Sequence, residues 1–470
     1  MIGWALFLLA TSIPPINLYP EEHIQPKWMV SIWVVLLLFA VCLSKRNRPG
    51  SRGLPLAACM AVCYICTARP FQNSSVLAMH LCMLMPFVHQ AHDTEQRLTR
   101  WFAWFAECLL VIVLLLSQCR TGYLCLLSYI LFLHLPHTPK IRSTAVIMLA
   151  LFAIASAFFM KTDSSQGRWF IMRNTVEIIK ERPLTGHGED GFRKTYMKQQ
   201  AQYFMQNPES EHAWLADDIR HPLNEFLLQS VNWGIAGGAL LLLLLFTPLL
   251  LPLHCSNKAW RQSLATICIF SFFSYPLLYP LTWFVILTNW ISVFHFPPIR
   301  TRYILPPYIL LFSFFIYKDY HLRRWGQISY LSKHGHPKAM MPYYQTLYPH
   351  FQHNPDFLYD YAIESFYATA FRQAYHLTDE CRMYMSSYDL CLLQGDICMQ
   401  LKEYGKATAC YQEAHQMCPV RFAPLSGMLD VYLATGNPLS ADSIRQIIRN
   451  KKIKIPSKEV LDIKRKVDNH

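Results

Sequence analysis

Apolar runs alternate with short polar segments along the first two thirds of the chain, and this pattern predicts a protein that crosses a membrane many times. A helix needs about 20 apolar residues to span the bilayer core, or somewhat fewer where the span is short. By that measure we expect about eleven transmembrane helices. The runs fall at residues 2–13, 28–43, 54–67, 76–89, 101–117, 123–135, 143–160, 233–253, 263–281, 283–296 and 303–317.

One long polar stretch, residues 161–232, separates the seventh run from the eighth. Its most distinctive sequences are GRW at 167–169, PLTGHGEDGF at 183–192 and RHPLNEFLLQ at 220–229. Basic residues of the apolar region collect in short loops near positions 44–52, 97–100, 140–142 and 258–261. Short basic loops are typically cytoplasmic. We therefore expect the polar stretch to form a large extracytoplasmic loop.

The composition supports a membrane protein and argues against nucleic-acid binding. The chain is 53% hydrophobic and 16% charged, whereas a soluble domain carries about 25% charged residues. Its net charge is +13, but the basic residues are dispersed among short loops instead of forming one stripe. That distribution is typical of membrane topology rather than of a groove that follows phosphates.

The last part of the chain lacks an apolar run and carries a helical repeat pattern. Its positions fit the tetratricopeptide repeat of roughly 34 residues, and the residues that fit are Cys391, Gly395, Cys398, Tyr404, Ala407, Tyr411, Ala414 and Pro419. A second repeat carries Tyr432 and Ala441 at the equivalent positions. The alternative is an ordinary antiparallel helical hairpin.

The predicted fold is an all-α polytopic membrane protein with a C-terminal α-helical repeat domain. Its predicted parts are N-terminal transmembrane helices at 1–160, the loop at 161–232, C-terminal transmembrane helices at 233–320 and repeats at 321–470. An odd number of spans puts the repeats outside, whereas the basic segment at 321–325 and the cysteines favour the reducing inside. We expect the outside, on the span count.

Two arginines are candidates for binding an anion. Arg120 lies in SQCRTGY at 117–123, where one predicted span ends outside and the next begins. An arginine at membrane depth usually faces a cavity and binds a partner, although an arginine at the interface also reaches lipid headgroups. Arg168 opens a predicted amphipathic helix at 169–183 that would lie on the membrane surface. Paired guanidinium groups suit a diphosphate because they bind its oxygens bidentately.

His221 is the candidate base. Pro222 follows it at a position favoured in the first turn of a helix, so we expect His221 at the N-terminus of a helix that re-enters the membrane. An imidazole accepts a proton near neutral pH. His212 is a competitor, and a histidine without a chemical role is the alternative for both. Metal-site, hydrolase and nucleotide-binding motifs are missing from the sequence, which predicts neither a metal nor a cofactor.

Together these motifs resemble the O-antigen ligase/polymerase superfamily of membrane glycosyltransferases. The matching sequences are SQCRTG, GRW followed by ERPLTGHGEDGF, and HPLNEFLLQSVNWGIAG, which cover roughly residues 101–253. The repeats followed by IKIPSKEVLDIK resemble a version common in Bacteroidetes-type bacteria. One departure is that many members have His directly before Asn, whereas Pro222 and Leu223 separate His221 from Asn224 here.

The resemblance implies metal-independent transfer of a glycan from an undecaprenyl-diphosphate carrier to an acceptor hydroxyl, at the periplasmic face of the bacterial inner membrane. It implies that Arg120 and Arg168 bind the diphosphate, and that His221 activates or orients the acceptor hydroxyl; Arg168 and His221 would be the catalytic pair.

The acceptor stays open in the sequence. An O-antigen ligase in lipopolysaccharide assembly uses lipid A–core, a polymerase uses another carrier-linked glycan, and an oligosaccharyltransferase uses a protein. The repeat domain would suit a protein acceptor or partner through its concave face, and the spans would contact membrane lipids. The non-enzymatic alternative is a polysaccharide flippase or transporter, although the internal repeats typical of transporters are not seen.

Overall fold

The computed structural model describes residues 54–68, 71, 73–134, 162–251, 258–293 and 300–468. These residues form eighteen α-helices and three short 3₁₀ helices, without strands. The all-α prediction is therefore confirmed for the described part of the chain. The apolar runs predicted at 2–13, 28–43 and 143–160 lie outside the described residues.

The chain divides into two compact units. The first unit comprises Met1–Met160, Leu223–Phe226 and Gly238–Arg323, and the second comprises Lys161–Pro222, Leu227–Gly237 and Arg324–His470. The helices up to the end of the apolar region are α1 (Leu54–Ala68), α2 (Ser74–Gln90), α3 (Arg97–Leu116), α4 (Arg120–His134), α5 (Thr162–Glu181), α6 (Gly191–Gln206), α7 (Glu225–Leu250), α8 (Lys258–Ser271), α9 (Pro280–Val293) and α10 (Thr301–Lys333). The remaining helices are α11 (Pro337–Phe351), α12 (Pro355–Tyr367), α13 (Phe371–Cys381), α14 (Tyr388–Gln400), α15 (Tyr404–Met417), α16 (Ala423–Ala434), α17 (Pro438–Asn450) and α18 (Lys458–Asp468).

Helix α2 is the centre of the first unit. It is apolar on nearly every side and is buried from Val76 to Val88, as expected of a helix without a polar face. It packs against α1, α3, α4 and α8. A buried hydroxyl ties two of these helices together, because Ser263 Oγ donates to the Met83 carbonyl at 2.7 Å.

Two of the described helices, α3 and α7, are long and apolar enough to cross a membrane. They contain 20 and 26 residues, and α1 and α9 are shorter apolar helices. Large apolar side chains remain exposed on the long helices, for example Trp101 at 74% and Leu240 at 67%. Exposed apolar surface of this extent fits contact with lipid.

Paired helices in the C-terminal part confirm the predicted tetratricopeptide-like repeats. Helix α12 packs on α13, α14 on α15, and α16 on α17. A Cβ on Gly395 would lie 2.6 Å from the Tyr411 ring, so this position needs glycine for the two helices to approach. Ala407 and Ala414 are fully buried on the facing helix. In the following pair, Ala441 is fully buried in the same way.

Candidate functional site

A tight turn between α3 and α4 positions Arg120. Gln118 has a positive φ of 51°, which reverses the chain, and Ser117 Oγ accepts the Cys119 N–H at 3.3 Å. Gly122 lets the hairpin close, because a Cβ there would lie 2.8 Å from the Leu114 side chain. Arg120 is the first residue of α4 and is half-buried, in the first unit. The predicted location between two helices is confirmed.

Arg168 lies inside a helix rather than at its start, which corrects the prediction. Helix α5 begins at Thr162 and continues through Gly167 and Arg168 to Glu181. Arg168 is exposed, as are Trp169 and Val176. The opposite side is buried in the second unit through residues such as Ile171 and Ile178. Trp169 and Val176 of the predicted amphipathic helix thus lie on the exposed face of α5, whereas Ile179 is buried with the residues of the opposite side.

His221 lies in irregular backbone before α7, which also corrects the prediction. The helix begins at Glu225, because Leu223 has a positive φ of 55° and cannot continue a right-handed helix. Pro222 is consequently not a first-turn residue. His221 is half-buried in the second unit. Burial lowers the pKa of its imidazole to about 3, so the ring is neutral at pH 7.

The residues after His221 secure the start of α7. Asn224 Nδ2 donates to the Phe272 carbonyl at 3.2 Å, and the Glu225 carboxylate accepts the Leu277 N–H at 3.0 Å. All four residues belong to the first unit. The Asn and Glu of the His-x-x-Asn-Glu sequence therefore hold the helix end in place, which is a structural role.

The PLTGHG turn lies against a break in α7. The helix is interrupted at Trp233 and Gly234, whose φ/ψ values are non-helical. Backbone hydrogen bonds join the two segments: Ile235 N donates to Pro183 O at 2.8 Å, His187 N to Val231 O at 2.8 Å, and Gly188 N to Asn232 O at 2.9 Å.

Two glycines make this contact possible. Gly186 and Gly234 have φ values of 66° and 71°, a region that other residues adopt only at a cost. A Cβ on Gly186 would lie 2.4 Å from the Asn232 carbonyl oxygen, and one on Gly234 would lie 2.3 Å from the Leu184 carbonyl oxygen. The glycines therefore serve this contact between two segments of the loop region.

Neither of the other two histidines of the loop matches His221 in environment. His187 Nε2 donates to the Ile178 carbonyl at 3.0 Å, so its ring stabilises the turn. His212 stacks on Phe170 with ring centroids 5.0 Å apart and an angle of 24° between the planes. Phe170 is buried and Arg168 is exposed on the same helix, so this stack lies on the far side of α5 from Arg168.

The three predicted site residues are divided between the units. Arg120 belongs to the first, and Arg168 and His221 belong to the second. Sequence reasoning gave no role to Asp217 and Asp218, which precede His221. Asp218 accepts the Tyr388 N–H at 3.3 Å, and Asp217 pairs with Arg421. No local signal predicts these contacts, because the partners are 170 and 204 residues apart in sequence.

Among the described residues, one group of three has metal-ligand types: His89, His92 and Glu107. His92 Nε2 lies 2.6 Å from the Glu107 carboxylate, whereas two ligands of one tetrahedral zinc would be about 3.3 Å apart. The Nδ1 atom of His92 is buried without a hydrogen bond, although a metal-bound histidine normally donates from its second nitrogen. We interpret the short contact as a hydrogen bond in which His92 binds the Glu107 carboxylate, so that this carboxylate has a partner within an apolar helix.

Comparison with known proteins identifies the segment that carries all three candidates. Residues 105–242 match the O-antigen ligase family model. The matched segment contains Arg120, Arg168 and His221, so the resemblance expected from the motifs is confirmed there. The match supports a membrane-associated, glycosyltransferase-like enzyme that processes glycans.

The other comparisons add no argument about function. No curated protein sequence matches the chain. The crystal structure of the APC/C hetero-tetramer Cut9–Hcn1 is similar at 11% identity, over 94% of this chain and 94% of that chain. Its TM-score of 0.28 is too low to support a conclusion about fold.

Proposed function

We propose that this protein is a metal-independent membrane glycosyltransferase of the O-antigen ligase type. It moves a glycan from a polyprenyl-diphosphate carrier to an acceptor hydroxyl. The observation that carries the proposal is the family match at residues 105–242, which contains both candidate arginines and the candidate base. The donor and acceptor are lipid-linked or membrane-associated, in keeping with a chain rich in apolar helices.

The two arginines bind the diphosphate of the carrier. A guanidinium binds phosphate oxygens through two parallel N–H groups, and it carries its charge at every physiological pH. Arg120 begins α4, where the helix dipole also favours an anion. Arg168 is exposed on α5. Their positive charge stabilises the diphosphate as it leaves, which is where negative charge develops in the reaction.

His221 serves the acceptor. The acceptor oxygen attacks the anomeric carbon of the glycan, the bond from that carbon to the carrier phosphate breaks, and the hydroxyl proton moves to the imidazole. The pKa of His221 is about 3, so its neutral form is available but is a weak base. The hydroxyl becomes acidic only as it bonds to the anomeric carbon, and the proton therefore moves late in the attack.

The proposed topology places this chemistry at the periplasmic face of the bacterial inner membrane. It has about eleven transmembrane helices, with the loop at residues 161–232 outside. Support comes from the exposed apolar residues of α5, Trp169 and Val176, which suit a helix that lies against a membrane surface. A carrier-linked glycan that has been moved across the membrane would be met on that side.

Three acceptors fit this proposal: lipid A–core for an O-antigen ligase, a carrier-linked glycan for a polymerase, and a protein hydroxyl for an oligosaccharyltransferase. Complementation of a deletion strain distinguishes them through gels of surface glycans. Bare core with accumulated carrier-linked glycan indicates a ligase, and core with a single repeat unit indicates a polymerase. Loss of glycan from proteins alone indicates an oligosaccharyltransferase.

The same strain tests the enzymatic proposal itself. We expect His221→Ala to abolish the glycan product and Arg120→Ala and Arg168→Ala to reduce it strongly, while the exposed-arginine control Arg173→Ala and the histidine control His212→Phe retain it. Normal glycan ladders from all three site variants would contradict the proposal. They would favour a transporter, whose substrate would then be sought among carrier-linked glycans.

A further inference from the structure

The second unit contains helices from two regions that are far apart in sequence, the polar loop and the C-terminal repeats. Helices α5 and α6 come from the loop, and α6 packs on the repeat helix α15. Their buried side chains form one cluster. From the loop it includes Ile171, Ile178, Phe192, Tyr196, Met197 and Ala201, and from the repeats Tyr388, Cys391, Ala414, Met417 and Cys418.

Hydrogen bonds also join the loop to the repeats within this unit. Arg193 of α6 forms two hydrogen bonds with the Asp356 carboxylate of α12, at 2.6 and 3.1 Å. Gln200 of α6 is fully buried, and its Nε2 donates to the Met417 carbonyl at 2.8 Å. Buried polar groups stabilise a structure only when they are bonded. Arg193 and Gln200 therefore link the loop to the repeats within this unit.

The segment just before His221 is held by the first turn of a repeat helix. Asp218 accepts the Tyr388 N–H at 3.3 Å, at the N-terminus of the 13-residue helix α14. A carboxylate at this end of a helix interacts favourably with its unpaired N–H groups and its dipole. The neighbouring Asp217 pairs with Arg421. Arg421 in turn lies over the Tyr388 ring, 4.4 Å from its centroid.

The number of spans predicted from the sequence between the loop and the repeats is compatible with this arrangement. Helices α7, α8 and α9 and the first part of α10 separate the two regions, and of these α7 is the one long and apolar enough by itself to cross a membrane. If all four cross, as the sequence predicts, the chain returns to the side on which it started. If the short helices α8 and α9 enter and leave the membrane on one side instead, two crossings remain, and the count is still even.

We propose that the repeat domain lies outside the membrane together with the loop, and that α14 positions His221 through Asp218. Asp218 is a positioning residue, because it accepts the backbone N–H of Tyr388 at the start of α14. The positioning part rests on the function proposed for His221, whereas the location of the repeats rests on the shared core alone. Both parts follow from one feature: the loop packs against repeats that lie 163 or more positions later in the sequence.

Paired topology reporters test the location independently of activity. One epitope tag is inserted at the exposed turn of residues 207–209, and a second is placed after His470. In cells with a permeabilised outer membrane, we expect an antibody to reach both tags without disruption of the inner membrane. A tag that becomes accessible only after disruption of the inner membrane, at either position, overturns the proposal. Alkaline phosphatase fused after His470 should be active, and a green fluorescent protein fused there should be dark.

Kinetics of the purified full chain test the positioning role. Asp218→Ala removes the acceptor for the Tyr388 N–H, whereas Asp218→Asn retains an oxygen at that place. We expect Asp218→Ala to lower kcat about tenfold or more, as a displaced catalytic group does, with the KM for the carrier-linked donor changed by less than about threefold. Asp218→Asn should recover most of kcat.

The control is Asp389→Ala, which removes another carboxylate from the first turn of α14 but leaves the Asp218 bond intact. Asp389 is half-buried and lies 3.9 Å from Arg421. The kcat of this variant should stay within about twofold of the wild type, since a charge at a helix end contributes only a few tenths to 1 kcal/mol. Equal kcat for Asp218→Ala and wild type would overturn the positioning role. A wild-type protein without transferase activity would instead contradict the proposed function and leave the topology result to stand.

Discussion

His221 folds into a site that removes water from its imidazole, and this burial lowers its pKa to about 3. The usual pKa of a histidine is about 6.5, so at pH 7 the folded protein holds the imidazole ring in its neutral form. A base of this kind drives proton transfer weakly. Its advantage is that it is not lost to protonation in mildly acidic conditions.

The pH dependence of transfer follows from this shift. Because protonation inactivates the base only near pH 3, we expect kcat to be nearly constant from pH 8 down to about pH 5. The measurement is kcat against pH for the reconstituted protein with a carrier-linked donor. An acidic limb centred near 6.5, present in the wild type and absent from His221→Gln, would contradict a buried neutral imidazole.

Arg168 and Arg173 allow a matched comparison on one helix. Both are exposed on α5, but only Arg168 lies in the GRW motif. Loss of a charge-assisted bidentate contact corresponds to about 1.5–3 kcal/mol, so we expect Arg168→Ala to raise the KM for the diphosphate-linked donor about tenfold or more.

Arg168→Lys keeps the charge but loses the forked geometry, and it should fall between the wild type and Arg168→Ala. Arg173→Ala should stay within about twofold of wild type, because it removes an exposed charge of the same helix without removing the diphosphate contact. Equal KM values for the two alanine variants would remove Arg168 from the binding site.

At the scale of elements, the contact between the PLTGHG turn and the broken helix α7 explains the glycines of both motifs. Gly186→Ala would place a methyl group 2.4 Å from a backbone oxygen at a φ that costs about 1–2 kcal/mol for a residue with a side chain. We expect this variant to lower the apparent Tm by at least about 5 °C, measured by size-exclusion chromatography after heating in detergent.

Gly188→Ala is the matched control. Gly188 also has a positive φ, 83°, but no atom lies within 4 Å of its added Cβ. The Gly188→Ala variant should therefore pay the free energy of holding alanine at a positive φ but suffer no steric clash. We expect its Tm to fall less than that of Gly186→Ala. A Gly186→Ala protein as stable as Gly188→Ala would show that the turn does not pack on α7 as described.

The sequence predicts which segments form helices, but it does not predict the residues at which the helices begin. Gly395 and Ala407 predict a close helix pair because small residues at that spacing allow two backbones to approach, and the pair is present. The start of α5 was predicted too late because glycine often ends a helix. One glycine inside a helix, such as Gly167, destabilises it by only about 1 kcal/mol, and α5 continues through this residue. The start of α7 was misplaced because Pro222 reads as a first-turn residue, and the left-handed Leu223 has no signature in sequence.

At the scale of the molecule, the shared core of loop and repeats was the feature that sequence could not supply. Arg193 and Asp356 look like ordinary surface charges, and Asp218 looks like a loop residue, until folding brings residues 170 or so positions apart together. Similarly, the side of the membrane on which the repeats lie was ambiguous from basic residues and cysteines. Both features depend on contacts between residues far apart in sequence, and such contacts leave no recognisable pattern in a short stretch of sequence.

Removal of the repeats tests their place in the fold. A protein truncated after residue 336 would expose Ile178, Phe192 and Met197, which are nearly fully buried in the shared cluster. We expect trypsin to cleave residues 161–232 of the truncated protein at least about tenfold faster than in the wild type, because the rate of proteolysis depends on how often the segment unfolds locally. A truncated protein with wild-type resistance at residues 161–232 would contradict a core shared by the two regions.

The most direct test of the central claim is glycan transfer by the purified protein in proteoliposomes. Polyprenyl-diphosphate-linked glycan is the donor, lipid A–core is the first acceptor, and the released carrier diphosphate and the transferred glycan are both quantified, with and without EDTA. We predict equal amounts of the two products, no effect of EDTA, and a loss of at least about 100-fold in His221→Ala, as expected for a general base. Transfer at the wild-type rate by His221→Ala, with His212→Phe as the folded control, would contradict the assignment.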